Sequence, residues 1–161
     1  MRRKAQQLSV EKCEEMLCKN TAGVLSLSGD DGYPYGVPLS FCYDNGKLIF
    51  HCAKTGHKID SVRRSSKASF CVIDKDEIIA EEYTTYFRSV IAFGKIRIAE
   101  DDAQKRELLD VLAKKYNQED TAEHRSEVIN REPAAVCILE MTVEHLSGKE
   151  AIELVRMHKK Q

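Results

Sequence analysis

Apolar and polar residues alternate between Tyr35 and Ala53, which is the pattern of strands with one buried face. The segment Asp44-Asn45-Gly46 interrupts the alternation and is typical of a tight turn, because Asn and Gly tolerate positive φ. We therefore predict a hairpin whose return strand is Lys47–Ala53. Pro38 has no N–H for a central ladder, so its strand is expected at a sheet edge, at a bulge or against a ligand.

Apolar positions spaced three or four residues apart predict four helices: Ser9–Asn20 with Ser9 as its N-cap, Thr55–Arg64, Asp101–Tyr116 and Glu119–Asn130. Further strands are predicted at Gly23–Ser28, Lys67–Asp74, Thr84–Glu100 and Ala134–Val143. Gly94 is predicted to be a bulge or kink within the long Thr84–Glu100 segment. The acidic stretch Asp76–Glu82 is predicted to be a connection, and Lys149–Gln161 a helix or a frayed tail.

The predicted order of elements is one helix, about six strands with a short helix after the third, two helices and a last strand. Strands joined mainly by hairpins favour an antiparallel closed sheet with helices on its outside, which is a mainly-β class with flanking helices. No G-x-G-x-x-G motif follows a strand, so the sequence gives no support for a Rossmann site. The 161 residues suit one domain, 1–161, with a core at about 5–145.

Charge and targeting signals narrow the function classes. The chain has 25 basic and 26 acidic residues, which gives no electrostatic case for binding nucleic acid or an anionic membrane. The opening MRRKAQQLSVEK lacks the apolar core of a signal peptide, and no apolar run approaches the ~20 residues of a membrane span. We therefore expect a cytoplasmic protein.

Six cysteines occur mostly within apolar runs. We expect reduced, buried thiols rather than a disulfide framework. The Cys13–Cys18 spacing has no matching second pair, and His124 and His145 lack partners at ligand spacing, so no metal site is predicted. A stress-response protein that uses these thiols as sensors is a further hypothesis, against which their apolar surroundings argue.

The junction between a strand and a helix at Phe50–Asp60 carries the most chemical information. Lys54 and Lys58 bracket Gly56, and the free N–H groups of a helix start attract anions. One interpretation is a phosphate site for a mononucleotide, with Gly56 allowing close approach of the backbone. The other is a solvated turn that happens to carry lysines, and the residues alone leave both open.

Arg88 and Ser89 lie in the middle of a predicted strand between apolar neighbours. A buried Arg is unfavourable unless it is paired. The two residues could reach the same anion as the lysines, or Arg88 could pair with an acid among the following: Glu77, Glu81 and Glu82.

His51 alternates with Phe50 and Cys52 and therefore faces away from them. A lone strand histidine is more often structural than catalytic, and no spaced Ser-His-Asp pattern makes it a triad member.

Four segments occur in an order and spacing that resemble a known family: Gly23–Leu27, Gly32–Phe41, Phe50–Ile59 and Tyr86–Gly94. The chain resembles the pyridoxamine 5′-phosphate oxidase-like split-barrel superfamily, and within it the nitroimidazole-resistance (Nim) type flavoproteins, over roughly residues 5–145. The resemblance implies a six-stranded antiparallel FMN-binding split barrel and a homodimer with FMN at the interface.

The resemblance also implies roles for individual residues. A ring-lining segment would comprise Val37, Pro38, Leu39 and Ser40. The phosphate would be held by a turn comprising Ala53, Lys54 and Lys58, with further contacts from the strand residues Arg88 and Ser89. His51 would lie close to the flavin ring as the catalytic residue.

The implied function is an FMN-dependent oxidoreductase that reduces small electron-poor compounds such as nitroaromatics. The alternative is a flavin- or haem-binding or storage protein without turnover of its own. True pyridoxamine-phosphate oxidases carry an S-R-K phosphate turn where this chain has Ala53-Lys54-Thr55, and an arginine-bearing C-terminal substrate segment where it has Leu146–Gln161. Vitamin B6 oxidation is therefore not expected.

Overall fold

Seven strands form one antiparallel sheet in a computed structural model that describes residues 3–131 and 136–158. The strands are β1 Ala22–Ser28, β2 Pro34–Ser40, β3 Cys42–Asp44, β4 Lys47–Ala53, β5 Lys67–Ile79, β6 Thr84–Ile98 and β7 Val136–Glu150. Their order across the sheet is β2-β1-β5-β6-β7-β4-β3. The predicted mainly-β antiparallel class with flanking helices is confirmed, with seven strands where the resemblance implies six.

Five helices flank the sheet: α1 Val10–Lys19, α2 His57–Arg64, α3 Asp102–Tyr116, α4 Ala122–Arg131 and α5 Ile152–His158. The Ser9 side chain accepts a hydrogen bond from the Lys12 N–H at 3.3 Å, which confirms it as the N-cap of α1. Asp101 caps α3 in the same way, accepting from the Gln104 N–H at 2.7 Å. No helix within the described ranges is both long and apolar enough to cross a membrane.

The sheet curls around a core of buried apolar side chains, and β2 approaches β4. Phe70 lies at the centre of this core, with ring centroids 4.7 Å from Phe41 and 5.0 Å from Phe50. Edge-to-face packing of this kind stabilises aromatic clusters beyond the apolar area that they bury. The alternation of β4 sends Phe50 into this core and leaves His51 exposed on the opposite face.

The predicted hairpin between Tyr35 and Ala53 is correct only at its turn. β3 pairs with β4 as expected, but β2 pairs with β1, so the outgoing strand breaks at Phe41. The Phe41 side chain is fully buried, and its N–H donates to Tyr116 Oη at 2.9 Å as well as to the Thr21 carbonyl oxygen at 3.3 Å. A tertiary contact with α3 thus accompanies the break in the strand at this residue.

Strands β5 and β7 are longer than predicted, whereas β6 ends at Ile98 and not at the predicted Glu100. Asp76–Ile79 pairs with β6 and does not form a connection. Strands β5 and β6 extend there as a two-stranded ribbon, and its acidic side chains are exposed to solvent, so their charge does not prevent the pairing. β7 runs to Glu150, so Lys149 ends a strand and is not part of a tail helix. The predicted start of this strand at Ala134 lies outside the described residues.

The predicted irregularity at Gly94 is confirmed. The register of β6 against β7 shifts between Phe93 and Gly94. A Cβ at Gly94 would lie 2.0 Å from the Thr142 carbonyl oxygen, so only glycine allows this close approach of the two strands.

A second apolar cluster joins α3 to the outer faces of β4 and β7. Leu108 and Leu112 of α3 pack there with Ile49 and Ile138. Helix α3 therefore covers the sheet face on which His51 lies, and this arrangement creates the pockets described next.

Candidate functional site

His51 lines an apolar pocket of about 370 Å³ on the outer face of the sheet. The remaining walls come from α3, α4 and the start of β7: Leu109, Leu112, Ala113, Tyr116, Val128, Ile129 and Val136. Two polar side-chain groups belong to this lining, the His51 imidazole and the Tyr116 hydroxyl. We call it the ring pocket, because its size and apolar walls suit a flat aromatic group.

Tyr116 connects the ring pocket to the end of β2. Its Oη accepts from the Phe41 N–H at 2.9 Å and lies 2.7 and 2.8 Å from the carbonyl oxygens of Thr21 and Phe41, which compete for its single proton. The Ser40 hydroxyl also hydrogen-bonds to it. Burial raises the pKa of Tyr116, so this phenol stays protonated and serves as an anchor.

A second pocket, of about 330 Å³, lies where β4, β6 and β7 meet α2 and α3. It contains three cationic side chains, Lys54, Arg63 and Lys105, and one acid, Glu100. Its other walls are Ile98, Ala99, Val136 and Cys137. We call it the basic pocket, because cations above an apolar wall suit an anionic group at the end of an organic molecule.

The charges of the basic pocket are only weakly neutralised by neighbouring acids. Lys105 Nζ lies 3.0 Å from a carboxylate oxygen of the exposed Asp102. This hydrogen bond, together with nearby cations that include Lys54, lowers the pKa of Asp102. The nearest carboxylate to Arg63 belongs to Asp60, at 3.8 Å and exposed to solvent. Within the lining itself, three cations face one acid, Glu100.

The ring pocket and the basic pocket meet at Val136, which lines both. In the β4–β7 pair Val136 lies opposite Ala53, and His51 lies opposite Ile138. The sequence segment from His51 to Lys54 thus connects the two pockets. A ligand with a flat apolar body and an anionic end would find both environments side by side.

The start of α2 has the backbone expected of the predicted phosphate turn. Gly56 adopts φ +122°, which favours glycine, and Lys58 lies in the first turn of the helix. His57 is engaged elsewhere, with Nδ1 3.1 Å from Asp30 and its ring 4.3 Å from that of Tyr35.

Arg88 and Ser89 are not brought near the lysines within one chain. Ser89 lies opposite Lys149 on β7, whereas Ala53 lies opposite Val136. These β7 positions are roughly 40 Å apart along the strand at about 3.3 Å per residue. One subunit alone therefore cannot place all the predicted phosphate contacts on one group.

Arg88 forms ion pairs, but with acids other than those predicted from the sequence. Its Nη1 lies 3.3 Å from Asp74 and its Nε 3.2 Å from Glu150, so the expected partners Glu77, Glu81 and Glu82 are wrong. Both observed partners are nearly buried, and Arg88 neutralises them.

The predicted ring-lining segment forms most of β2, an edge strand of the sheet, which confirms the edge position expected of Pro38. Val37 and Leu39 are half-buried against the core, whereas Pro38 and Ser40 are exposed. Its backbone pairs with β1 on one side.

Arg63, Lys105 and Tyr116 are site residues that sequence reasoning missed. Each lies on a helix whose charged or aromatic residues resemble an ordinary solvated face. Their shared location follows from how α2 and α3 dock on the sheet, which no spacing within the chain encodes. The cysteines also differ from expectation, since Cys18 is exposed and Cys52 and Cys71 are half-buried. Within residues 3–131 and 136–158, no three metal-ligating side chains cluster together.

Comparison with solved structures identifies similar folds. A candidate 5-nitroimidazole antibiotic resistance protein from Bacteroides thetaiotaomicron is 21% identical with a TM-score of 0.73, over 89% of this chain and 86% of that one. The FAD and haem binding protein from Mycobacterium smegmatis is 21% identical with a TM-score of 0.73, over 91% and 73%. A FAD-binding protein from Mesorhizobium loti is 25% identical with a TM-score of 0.59, over 91% and 97%.

A search of curated protein sequences gave no match. The family model for pyridoxamine 5′-phosphate oxidase matches residues 9–150, which is most of the chain. The chain therefore belongs to the pyridoxamine 5′-phosphate oxidase-like family.

Proposed function

We propose that this protein is an FMN-dependent oxidoreductase that reduces small electron-poor compounds such as nitroaromatics. The observation that carries the proposal is the junction of the ring pocket and the basic pocket at Val136, beside an exposed His51. The FAD-binding proteins from Mycobacterium smegmatis and Mesorhizobium loti support a flavin cofactor, and the candidate nitroimidazole-resistance protein supports the substrate class.

The residues of both pockets fit a flavin mononucleotide. Apolar side chains of α3 and α4 would cover the ring, and Pro38 to Ser40 at the free edge of β2 would flank it. Lys54, Arg63 and Lys105 would hold the phosphate, since charge-assisted hydrogen bonds to phosphate are stronger than neutral ones. Lys58 and the N–H groups at the start of α2 would add to the same positive potential.

The flavin would supply the electron transfer, which no side chain of the chain can perform. The chain's own contribution is orientation and proton supply. His51 has its imidazole exposed at the ring pocket, and an imidazole exchanges protons near neutral pH. It would donate a proton to a substrate oxygen as electrons arrive there. The apolar walls of α3 and α4 would exclude water from that position.

A homodimer would complete the site. Ile73 and Phe93 are large apolar residues that are 65% and 43% exposed on the outer face of β5 and β6, and Val24 adds an exposed apolar residue on β1. A second copy of the chain would cover this face. It would also provide the route by which Ser89 of one subunit could approach the flavin of the other, which a single chain does not permit.

A flavin- or haem-binding protein without turnover is the second candidate. An exposed imidazole in an apolar pocket, beside cations that could bind propionates, also suits a haem with a histidine axial ligand. The Mycobacterium smegmatis relative binds FAD and haem, and this similarity supports the haem alternative.

The deciding experiment is reconstitution of purified protein followed by an activity assay. We expect apo protein to bind one FMN per chain, to quench its fluorescence, and to reduce a nitroaromatic with a reduced nicotinamide donor. A flavin absorbance spectrum without turnover would favour the binding alternative, and a Soret band after haem addition would favour haem. Failure to bind any flavin would overturn the proposal.

A further inference from the structure

Cys52 and Cys137 lie directly opposite each other in the antiparallel β4–β7 pair. Opposed residues of such a pair have Cα atoms about 4.5 or 5.5 Å apart. Both spacings fall inside the range of about 4.4–6.8 Å that a disulfide spans. The remaining cysteines on paired strands lack this arrangement, since Cys42 lies opposite Ile49 and Cys71 opposite Ile91. The backbone is therefore already placed for one cross-strand disulfide.

The two thiols differ in environment. Burial raises the pKa of Cys52 to about 11; the Lys58 ammonium opposes this shift, and contact with the Cys137 thiol adds to it. A thiol with a high pKa is a slow nucleophile at neutral pH. Cys137, in contrast, is a buried residue, 6% exposed, that forms part of the wall of the basic pocket, so a reagent would approach it from that pocket.

We propose that Cys52 and Cys137 form a redox-active dithiol, which an anionic low-molecular-weight disulfide oxidises through the basic pocket. We further propose that a flavin phosphate in the same pocket blocks this oxidation. The second statement rests on the proposed function, whereas the first does not.

Oxidation would proceed by two thiol–disulfide exchanges. The Cys137 sulfur attacks one sulfur of the reagent, its S–S bond breaks, and one reagent thiol leaves with the electron pair and a proton. The Cys52 sulfur then attacks the Cys137 sulfur, forming the Cys52–Cys137 bond and releasing the second reagent thiol with the Cys52 proton. Two protein thiols are thereby oxidised, and the reagent disulfide is reduced to two thiols.

The cations of the basic pocket give the reaction its charge preference. Lys54, Arg63 and Lys105 line the same pocket as Cys137, with Glu100 as the one acid of the lining, and an excess of one charge sign raises the local concentration of ligands of the opposite sign. An anionic disulfide should therefore react faster here than a neutral one of similar size.

The first test treats apo protein with oxidised glutathione, blocks remaining thiols and maps the peptides. We expect a Cys52–Cys137 linkage in wild-type protein and in the control Cys71→Ser. In Cys52→Ser we expect a glutathione mixed disulfide trapped on Cys137, because the resolving thiol is gone. Cys52→Ala repeats the test if serine destabilises the barrel. Absence of the linkage, or an unmodified Cys137 in both Cys52 variants, would overturn the dithiol.

The second test compares a dianionic aromatic disulfide, 5,5′-dithiobis(2-nitrobenzoate), with the neutral 4,4′-dithiodipyridine. Arg63→Gln and Lys105→Gln should each slow the anionic reagent roughly threefold and leave the neutral reagent unchanged. Arg64→Gln is the matched control, since its guanidinium pairs with Asp30 outside the pocket. Arg63→Gln and Lys105→Gln variants that slow both reagents equally, or slow neither, at Cys137 would overturn the route through the basic pocket.

The third test separates this inference from the proposed function. With FMN at about ten times its dissociation constant, oxidation should slow about tenfold, because only unliganded protein reacts. Normal FMN binding with unchanged oxidation would overturn the blocking effect alone. Failure to bind FMN would overturn the proposed function and the blocking effect. The proposal of a redox-active dithiol would still stand or fall with the Cys52–Cys137 linkage in apo protein.

Discussion

Arg125 donates from Nε to Asp110 Oδ1 at 2.6 Å and thereby joins α4 to α3 beside the ring pocket. Its Nη1 also donates to the Asp120 carbonyl oxygen at 3.0 Å, and the whole residue is buried. Since Val128 and Ile129 of α4 line the ring pocket, this ion pair maintains one of the pocket's walls.

Asp110→Asn should destabilise the protein by about 1 kcal/mol, the low end for a charged hydrogen bond, because Asp110 is partly exposed. Its hydrogen bonds with Lys114 and Arg125 lower the pKa of Asp110. A lowered pKa gives stability that is complete above the unfolded value and is lost as pH falls. Urea unfolding should therefore separate wild-type and variant at pH 7 and bring them together below about pH 3.9.

Glu127→Gln on the same helix is the control for Asp110→Asn, since the ion pair of Glu127 with Arg131 is exposed and 3.8 Å long. It should leave unfolding unchanged. Faster hydrogen exchange in α4 should accompany Asp110→Asn and not the control. Identical exchange in the two variants would mean that the pair does not fix α4.

Removing cations from the basic pocket should weaken FMN binding and spare riboflavin, which lacks the phosphate. Lys54→Ala and Lys58→Ala should each weaken FMN affinity about tenfold or more. Arg63→Gln and Lys105→Gln should each weaken it roughly threefold, since these side chains remain partly hydrated. Fluorescence titration with both flavins measures the difference.

Lys114→Gln is the control on α3, since Lys114 pairs with Asp110 outside the basic pocket. Unchanged FMN affinity in Lys58→Ala and in the three variants of the basic pocket would remove the phosphate from this location. Equal losses for FMN and riboflavin would instead indicate a general disturbance of the fold.

The sequence predicted local elements better than their partners. The cap at Ser9, the turn at Asn45-Gly46 and the break at Gly94 are short-range features that a few residues determine. The pairing of β2 with β1 could not be inferred, because the Phe41 backbone bonds to a tyrosine far along the chain.

For the candidate site residues too, sequence reasoning succeeds where residues are close in sequence and fails where the sheet determines their position. His51 and Lys54 are close in sequence and connect neighbouring pockets. Arg88 is distant from them because the long strands β6 and β7 carry it to the other end of the sheet, where Asp74 and Glu150 pair with it. A strand position alone does not reveal which end of a sheet it occupies.

Glu140 should give the protein a second source of acid sensitivity. Burial alone would raise its pKa, but hydrogen bonds from Lys47 at 3.1 Å and from Arg97 at 2.7 Å hold the pKa below the usual value. Glu140→Gln should destabilise the protein at pH 7 by about 2 kcal/mol, less than a fully buried pair because both cations are half-exposed.

The destabilisation by Glu140→Gln should shrink as the pH falls through the lowered pKa of Glu140, where wild-type protein also loses the charge. Glu144→Gln on the same strand is the control, because its pair with Lys95 is exposed and 3.6 Å long. A difference between wild-type and Glu140→Gln that persists undiminished at pH 2 would assign the effect to packing rather than charge.

Light scattering should give twice the chain mass of 18.3 kDa at micromolar concentration. An obligate interface covers about 2,000 Å² or more, and the exposed Ile73 and Phe93 provide an apolar face for it. Ile73→Glu and Phe93→Glu should shift the mass towards one chain and weaken FMN binding together. Val10→Glu, at an exposed valine of α1, should do neither. A stable monomer with stoichiometric FMN would contradict an interface site.

His51→Ala should separate catalysis from binding. The His51 side chain is exposed and the core side of β4 is formed by Phe50 and Leu48, so we expect an unchanged melting temperature. FMN should be retained, because the cations and apolar walls remain. Nitroaromatic reduction should fall about tenfold or more, the lower end of what a positioned proton donor contributes.

The control for His51→Ala is His124→Ala, which removes an exposed histidine that pairs with Asp120 and lines neither pocket. Occupancy, melting temperature and turnover are measured on one preparation of each variant. A lower melting temperature with normal turnover per folded molecule would make His51 a structural residue. Full turnover with normal occupancy would remove the catalytic role of His51 and leave the flavin site intact, because binding rests on residues that this substitution does not touch.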